Sequence, residues 1–268
     1  MKASERLEII IDEVQTNGIV KVAEISGRLG CSEVTIRNDI RKLDQQGVLK
    51  KTYGGAVRKE NGLSVEFIPG EYFLNSDKKY RIAKRAYEYM KGGDSIIIDD
   101  STTGYYLAKY IKEHAEKHLA VVTNSVLSGA ELTSARHVDL FIVGGHVIGN
   151  PPAALDNITV GAMGQFHVDK AFVGVNGINL KTGLTSMGTP QMDVKREMIR
   201  VADEVYVIAD SSKFGSRNLF TVCPMSEVDR VITDTEIKKE YVQTARNLGI
   251  ELDLVRSEEH TSELQSHA

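Results

Sequence analysis

Residues 32–43 read Ser-Glu-Val-Thr-Ile-Arg-Asn-Asp-Ile-Arg-Lys-Leu. Val34, Ile36, Ile40 and Leu43 recur at helical spacing and are expected to turn inward, which leaves Thr35, Arg37, Asn38 and Arg41 on the outer side. Ser32 stands where an N-cap hydroxyl belongs. Guanidinium, amide and hydroxyl groups arranged in this way can reach base edges and phosphates in a DNA groove.

Two helices are expected upstream. Leu7, Ile10, Ile11 and Val14 follow the i, i+3, i+4, i+7 pattern up to a stop at Asn17-Gly18. After a short extended Ile19-Val20, the residues Val22, Ile25, Ser26 and Leu29 repeat the pattern, and Gly30 provides a break able to take a positive φ. Downstream, Gly47 to Ala56 reads as two short strands around a turn, with Lys50 and Lys51 on it. Three helices followed by a basic hairpin predict a winged helix-turn-helix. The competing reading, a helical domain for protein contacts with a merely solvated basic face, does not account for the outward Thr35, Arg37 and Asn38.

The charge distribution agrees. The 268 residues carry a net charge of −4, yet residues 1–60 hold 11 Lys and Arg against 9 Asp and Glu, leaving 22 against 28 for the remainder. Between Arg28 and Lys59 lie eight basic residues and three acidic ones, a local basic footprint on an acidic protein. The 41% hydrophobic and 26% charged composition is that of a globular chain with material for two domains, and excludes general disorder. No apolar stretch is long enough for a membrane span, and Glu5, Arg6 and Glu8 interrupt any signal-peptide core, so a cytoplasmic location is expected. Cys31 and Cys223 lack partners at ligand spacing; neither disulfide nor metal is expected, and both are read as small buried hydrophobes.

Beyond a linker containing Asn61-Gly62 and Pro69-Gly70, apolar runs recur at 95–98, 119–122, 138–143, 170–175, 204–209, 228–233 and 250–255. Helical patterns at 81–90, 104–116, 125–133, 193–202 and 237–248 alternate with them. This alternation predicts an open, mainly parallel α/β sheet with helices on both faces. Ligands of such sheets collect outside the carboxyl ends of the strands. The loops there are Asp99-Asp100-Ser101-Thr102-Thr103-Gly104, Thr123-Asn124-Ser125, Gly144-Gly145, Gly174 to Gly177 and Asp210-Ser211-Ser212-Lys213. Hydroxyl-rich and Gly-rich turns with Lys213 nearby suit a phosphorylated ligand, although Ser101 also suits a helix cap and Lys213, alone, a surface position.

The stretch TIRNDIRKLDQQGVLKKTYGGAV (residues 35–57) resembles the DNA-binding signature of the DeoR family of bacterial transcriptional regulators. Asn38 stands where that family usually has Arg, Tyr53 where it usually has His, and Lys50-Lys51 where a pair including Arg is usual. Residues 75–255 resemble the family's sensor domain, a Rossmann-like fold related to ribose-5-phosphate isomerase. The family's Asp-x-Gly-Thr-Thr phosphate loop is matched by Asp99, Thr102 and Thr103, with Ser101 in place of Gly, and Lys195 and Lys213 fall where the family has lysines.

The expected domains are therefore 1–58 for DNA binding, 59–76 as linker and 77–255 as sugar-phosphate sensor, with a disordered, artefactual tail at 256–268. In that tail RSEEHTSELQSH resembles a translated sequencing-adapter oligonucleotide, so His260 and His267 are given no function. The expected DNA-contacting set is Ser32, Thr35, Arg37, Asn38, Arg41, Lys50, Lys51 and Tyr53. Within it Arg37 and Arg41 face phosphate or guanine, Thr35 and Asn38 base edges, and Lys50 and Lys51 phosphates. The expected effector set is Asp99, Ser101, Thr102, Thr103, Asn124, Gly144, Gly145, Gly177, Lys195 and Lys213. The resulting expectation is a repressor of a carbohydrate operon that binds double-stranded operator DNA as a homodimer or homotetramer. A phosphorylated sugar modulates it, without cofactor or membrane. The alternative is an isomerase-like enzyme with a DNA-binding appendage, for which Asp99, Asp100 and Asp210 are the available acids; Gln191 occupies the loop expected to carry one, and His137, His146 and His167 show no pairing.

Overall fold

The computed structural model describes residues 3–46, 48–57, 74–149 and 151–256, which form two compact units, Met1–Ser76 and Asp77–Ala268. Gly47, Arg58, Lys59, both linker turns and residues 257–268 lie outside the described residues.

In the first unit, helices α1 (Ala3–Asn17), α2 (Val22–Leu29) and α3 (Glu33–Gln45) pack on a three-stranded antiparallel sheet of β1 (Ile19–Lys21), β3 (Gly55–Val57) and β2 (Lys50–Thr52), in that order. Their core joins Ile10, Ile11 and Val14 of α1 to Ile25 of α2, Ile36, Ile40 and Leu43 of α3, and Leu49 and Ala56. Between α2 and α3, Gly30 sits at φ 62° and donates its N–H to Ser26, so a side chain there would be strained. Arg6 of α1 grips Asp39 of α3 through two hydrogen bonds of 2.5 and 3.2 Å, which orients α3 against the scaffold. Cys31 is only half-buried, unlike the expected core residue, because it sits on the turn between the helices.

The second unit is built on seven parallel strands ordered β15-β14-β12-β9-β4-β5-β6. These are β4 (Ser95–Ile98), β5 (Leu119–Thr123), β6 (Val138–Ile142), β9 (Val168–Val173), β12 (Ala202–Ile208), β14 (Arg230–Asp234) and β15 (Leu252–Val255). Each overlaps one of the expected apolar runs. Alternate residues serve opposite faces. Ile96, Ile98, Val121, Phe172 and Ile208 pack with α4 (Ser76–Glu88), α5 (Thr102–Glu113) and Leu132 of α6 (Val126–Leu132). Ile97, Val122, Ala171, Val173 and Val207 pack with α7 (Asn157–Met163), α8 (Thr189–Arg200) and Ala245 of α9 (Lys239–Asn247). The central strands of a sheet covered on both faces carry apolar side chains at consecutive positions, which is why they read as runs and not as alternations, whereas the edge strand β6 leaves Phe141 and Ile142 exposed.

Four features depart from the expected outline. Helix α4 begins at Ser76, five residues before its apolar periodicity starts, because its first turn is polar. Helix α8 begins at Thr189 with Pro190 in its first turn, where a missing N–H costs nothing. Helix α7 was not anticipated; Asp156 caps it by accepting from the N–H of Thr159 at 2.8 Å. Two small antiparallel sheets also appear, a hairpin of β7 (Val147–Ile148) with β8 (Ala153–Ala154), and β10 (Gly177–Asn179), β11 (Gly183–Ser186) and β13 (Phe220–Cys223). At the far edge, Arg85 of α4 and Tyr89 just after that helix both hydrogen-bond Asp253 of β15, at 2.5 and 2.6 Å.

Candidate DNA interface and effector site

Helix α3 exposes Arg37, Asn38 and Arg41 on one side while Ile36, Ile40 and Leu43 are buried on the other. Ser32 caps the helix: its Oγ accepts from the Thr35 N–H at 3.2 Å and lies 2.9 Å from the Thr35 hydroxyl. Thr35 is thus half-buried and engaged in the cap. Val34, expected inside, is instead 68% exposed, because the residue falls on the same helical stripe as Arg37, Asn38 and Arg41. Among the described residues the exposed side chains make surface contacts within the helix: Arg37 pairs with Glu33 at 2.9 Å and Arg41 donates to Asn38 at 3.0 Å. Such surface contacts are weak enough for nucleic acid to replace.

The hairpin of β2 and β3 lies beside this helix. Asp44 near the end of α3 accepts from the backbone N–H of Lys51 at 3.0 Å, fixing the hairpin to the recognition helix. Lys50 and Lys51 are exposed and Tyr53 projects fully from the turn. All eight expected DNA-contacting residues therefore stand on α3, its cap or the wing.

In the second unit the chain reverses its direction of travel across the sheet between β4 and β9, the place at which open α/β sheets form a ligand crevice. Asp99, at the end of β4, is fully buried. One of its oxygens accepts from the Ser101 N–H at 3.1 Å and the Ser101 hydroxyl at 2.6 Å; the other accepts from the Gly174 N–H at 2.8 Å, just beyond β9, and from the Lys195 ammonium of α8. Lys195 also lies 3.3 Å from Asp100, whose other oxygen accepts from the Gln191 amide at 3.3 Å. Burial pushes the Asp99 carboxyl up, opposed by Lys195. Burial alone would lower the Lys195 ammonium, but Asp100 and Asp99 together reverse that and hold it above the ordinary lysine value.

Ser101, standing where a glycine was expected, caps α5 by accepting from the Gly104 N–H at 2.9 Å. Room for it comes from Gly174: a Cβ added there would lie 2.3 Å from both the Cβ and the Oγ of Ser101. Thr102 and Thr103 form the first turn of α5, Thr102 half-exposed and Thr103 buried. Asn124, at the end of β5, is buried; its amide donates to the Ala154 carbonyl at 3.0 Å, while its Oδ1 has no hydrogen-bond partner among the described residues. Gly144 and Gly145 are exposed beyond β6, with the Gly144 carbonyl accepting from Thr159 at 3.2 Å.

Two expected residues stand apart. Gly177 belongs to β10, paired with Thr185, and is not on an open loop. Lys213 is half-exposed on the short turn after β12, and no hydrogen bond or ion pair among the described residues joins it to the Asp99 cluster. Its turn is positioned by Asp234 of β14, which accepts from the N–H and hydroxyl of Ser211 at 2.7 and 2.9 Å. Among the histidines, His137 is buried with its ring nitrogen 2.8 Å from the Ile111 carbonyl, and His167 meets Asp203 at 3.3 Å on the surface. Neither approaches the crevice loops through any described contact.

The family profile described as the DeoR C terminal sensor domain matches residues 74–235, and that of the DeoR-like helix-turn-helix domain matches residues 6–61. The chain belongs to the DeoR family. A protein of Escherichia coli O157:H7 named for transcriptional repression of the aga operon is 31% identical over 254 residues, covering 94% of each chain. The transcriptional repressor GlcR of Bacillus subtilis (strain 168) is 28% identical across 97% of this chain and 99% of its own. The glycerol-3-phosphate regulon repressor of Escherichia coli (strain K12) is 26% identical across 95% and 100%. The solved ribose 5-phosphate isomerase of Methanocaldococcus jannaschii aligns with 52% of this chain and 55% of its own at 19% identity and a TM-score of 0.38, and nothing about activity follows from a likeness that low.

As a DeoR-family member the chain is a DNA-binding transcriptional regulator, with a helix-turn-helix unit joined to an α/β sensor. No described helix is long and apolar enough to cross a membrane. The residues missed as parts of the sensor crevice are Asp100, Gly174 and Gln191. In the sequence Asp100 and Gly174 read as members of strand-end loops, Asp100 also as an available acid, and Gln191 as the occupant of a loop expected to carry one. Their meeting with Lys195 depends on a crossover that spacing does not disclose.

Proposed function

We propose that this DeoR-family regulator represses a carbohydrate-metabolism operon and that a phosphorylated sugar, bound at the carboxyl ends of the central strands, changes its affinity for DNA. The observation that carries the reading is the exposed Arg37, Asn38 and Arg41 stripe beside the Lys50, Lys51 and Tyr53 wing. Repressor names among the relatives, one of them for a glycerol-3-phosphate regulon, support the carbohydrate assignment.

In this reading the phosphate lies at the first turn of α5, where helix N–H groups and the Thr102 hydroxyl face an anion. Asn124 Oδ1 accepts a sugar hydroxyl, and Gly144-Gly145 allow close backbone approach. Lys213 supplies positive charge. Asp99 and Lys195 act as positioning residues that hold the loop, since both are buried and already paired. The same pairing supports a sensor over an enzyme: Asp99 has its oxygens occupied by Ser101, Gly174 and Lys195, and is not free to take a proton from a substrate carbon. The effector works only through different affinities for DNA-competent and DNA-incompetent states. Two protomers in the cytoplasm reading two half-sites complete the reading.

Selection from random duplex DNA with the full chain tests it, followed by repeating retention of the bound fraction with a panel of sugar phosphates. Enrichment of a symmetric or repeated motif, with one sugar phosphate altering retention, is the expected result. Absence of any enriched motif at low salt, or turnover of a sugar phosphate by the chain, would overturn it.

A further inference from the structure

Val34 is the largest departure of helix α3 from its expected packing. The residue is 68% exposed and takes no part in the apolar cluster formed by Ile36, Ile40 and Leu43. Nothing in the fold of this unit calls for a valine there. Branching at Cβ lowers helix propensity, and the largely exposed isopropyl group buries little surface in the unbound chain. Its position is nevertheless specific: Val34, Arg37, Asn38 and Arg41 follow the i, i+3, i+4, i+7 spacing of one helical stripe, and all four are exposed. Val34 stands at the amino-terminal end of that stripe, one turn before Arg37, and the N-terminal residues of a recognition helix are the ones that reach base edges. Thr35, the neighbour expected to do so, has its hydroxyl 2.9 Å from Ser32 in the helix cap.

An apolar side chain entering the major groove meets donors and acceptors on guanine, cytosine and adenine. Thymine alone presents an apolar group there, its C5-methyl. We propose that Val34 is a specificity-determining residue that packs its isopropyl group against the C5-methyl of a thymine in each half-site. The assignment rests on the DNA-binding role of α3 given above. It divides labour along the stripe: Val34 selects thymine by shape, while Arg37, Asn38 and Arg41 make the polar contacts.

The test uses the full chain and the duplex enriched by selection. Each thymine is replaced in turn by deoxyuridine, which removes only the methyl, and affinity is measured for the wild type, Val34→Ala and Val34→Thr. One thymine per half-site is expected at which uracil weakens wild-type binding by about fourfold, the factor associated with burying one methyl-sized group. At that position Val34→Ala should lose less than about twofold, whereas Val34→Thr, which keeps a γ-methyl, should retain the sensitivity. Val34→Ala removes no member of the apolar core, so its circular dichroism should match the wild type. An enriched motif with uracil sensitivity nowhere, or with equal sensitivity in the wild type and Val34→Ala, overturns the thymine assignment while leaving the regulator reading in place. No enriched motif at all removes both.

Discussion

Lys195 on helix α8 is bound to Asp99 at the end of β4, and its ammonium lies 3.3 Å from Asp100 as well. All three groups are buried, so the pairing cannot be exchanged for water. Lys195→Met should leave two carboxylates facing each other and cost about 3–5 kcal/mol, the usual penalty for orphaning a buried charge. Urea unfolding measures it. Lys195→Met combined with Asp99→Asn should recover part of the loss, since one of the two stranded charges is then gone.

Asp234 gives a pH dependence with a definite sign. Burial raises its carboxyl, but hydrogen bonds from the Ser211 N–H and hydroxyl and the Glu236 N–H, with Lys78 nearby, bring it below the ordinary aspartate value. The folded pKa is thus below the unfolded value of about 3.9. Its contribution to stability is present above that pH and is lost as pH falls through the folded value. Asp234→Asn should therefore be less stable than the wild type at pH 7, with a shallower decline in the urea midpoint below about pH 4.

The most legible part of this fold is the sheet of the second unit, whose central strands are buried on both sides. Seven apolar runs announced the seven parallel strands, because side chains such as Ile96, Ile97 and Ile98 are all buried, on alternating faces. Strands β10 and β11 were hidden because they are short and mix Gly177, Asn179 and Thr185 with apolar residues. The recognition helix was legible as an element, yet Val34 and Thr35 exchanged expected roles, since capping by Ser32 draws Thr35 inward. Of the crevice, the loop residues could be named from strand ends. Which of them touch depends on β4 lying beside β9, and Lys195 reaches Asp99 across 96 positions of sequence.

Arg37→Ala should weaken binding to the selected operator by about 1–3 kcal/mol, while sugar-phosphate binding measured by calorimetry stays unchanged. Lys50→Ala or Lys51→Ala should act differently. Each should weaken binding to all sequences alike and reduce the slope of log affinity against log salt by about 1.

Gly174→Ala should separate sensing from DNA binding. The new methyl would collide with Ser101, displacing the 99–104 loop from the N-terminus of α5. Operator retention without ligand should persist, and the response to sugar phosphate should be lost. A variant that still responds at wild-type concentrations would place the effector away from this loop.

The two cysteines should differ sharply toward alkylation. Burial, with Glu227 adding to it, pushes the Cys223 thiol up to about 12, and only 3% of the residue is exposed. Cys31 is half-buried on the turn of the DNA-binding unit. Iodoacetamide should label Cys31 in the native protein and Cys223 only after unfolding, with peptide mass spectrometry reading the positions.

The ties from Arg85 and Tyr89 to Asp253 span 168 and 164 positions, so the first helix of the sensor meets its last strand. On the ribosome that helix is made long before its partner, and these two ties can form only when Asp253 has left the exit tunnel. The DNA-binding unit has no comparable wait, because its sheet is complete at Val57. A nascent chain of this protein thus acquires its DNA-binding half well before its α/β half.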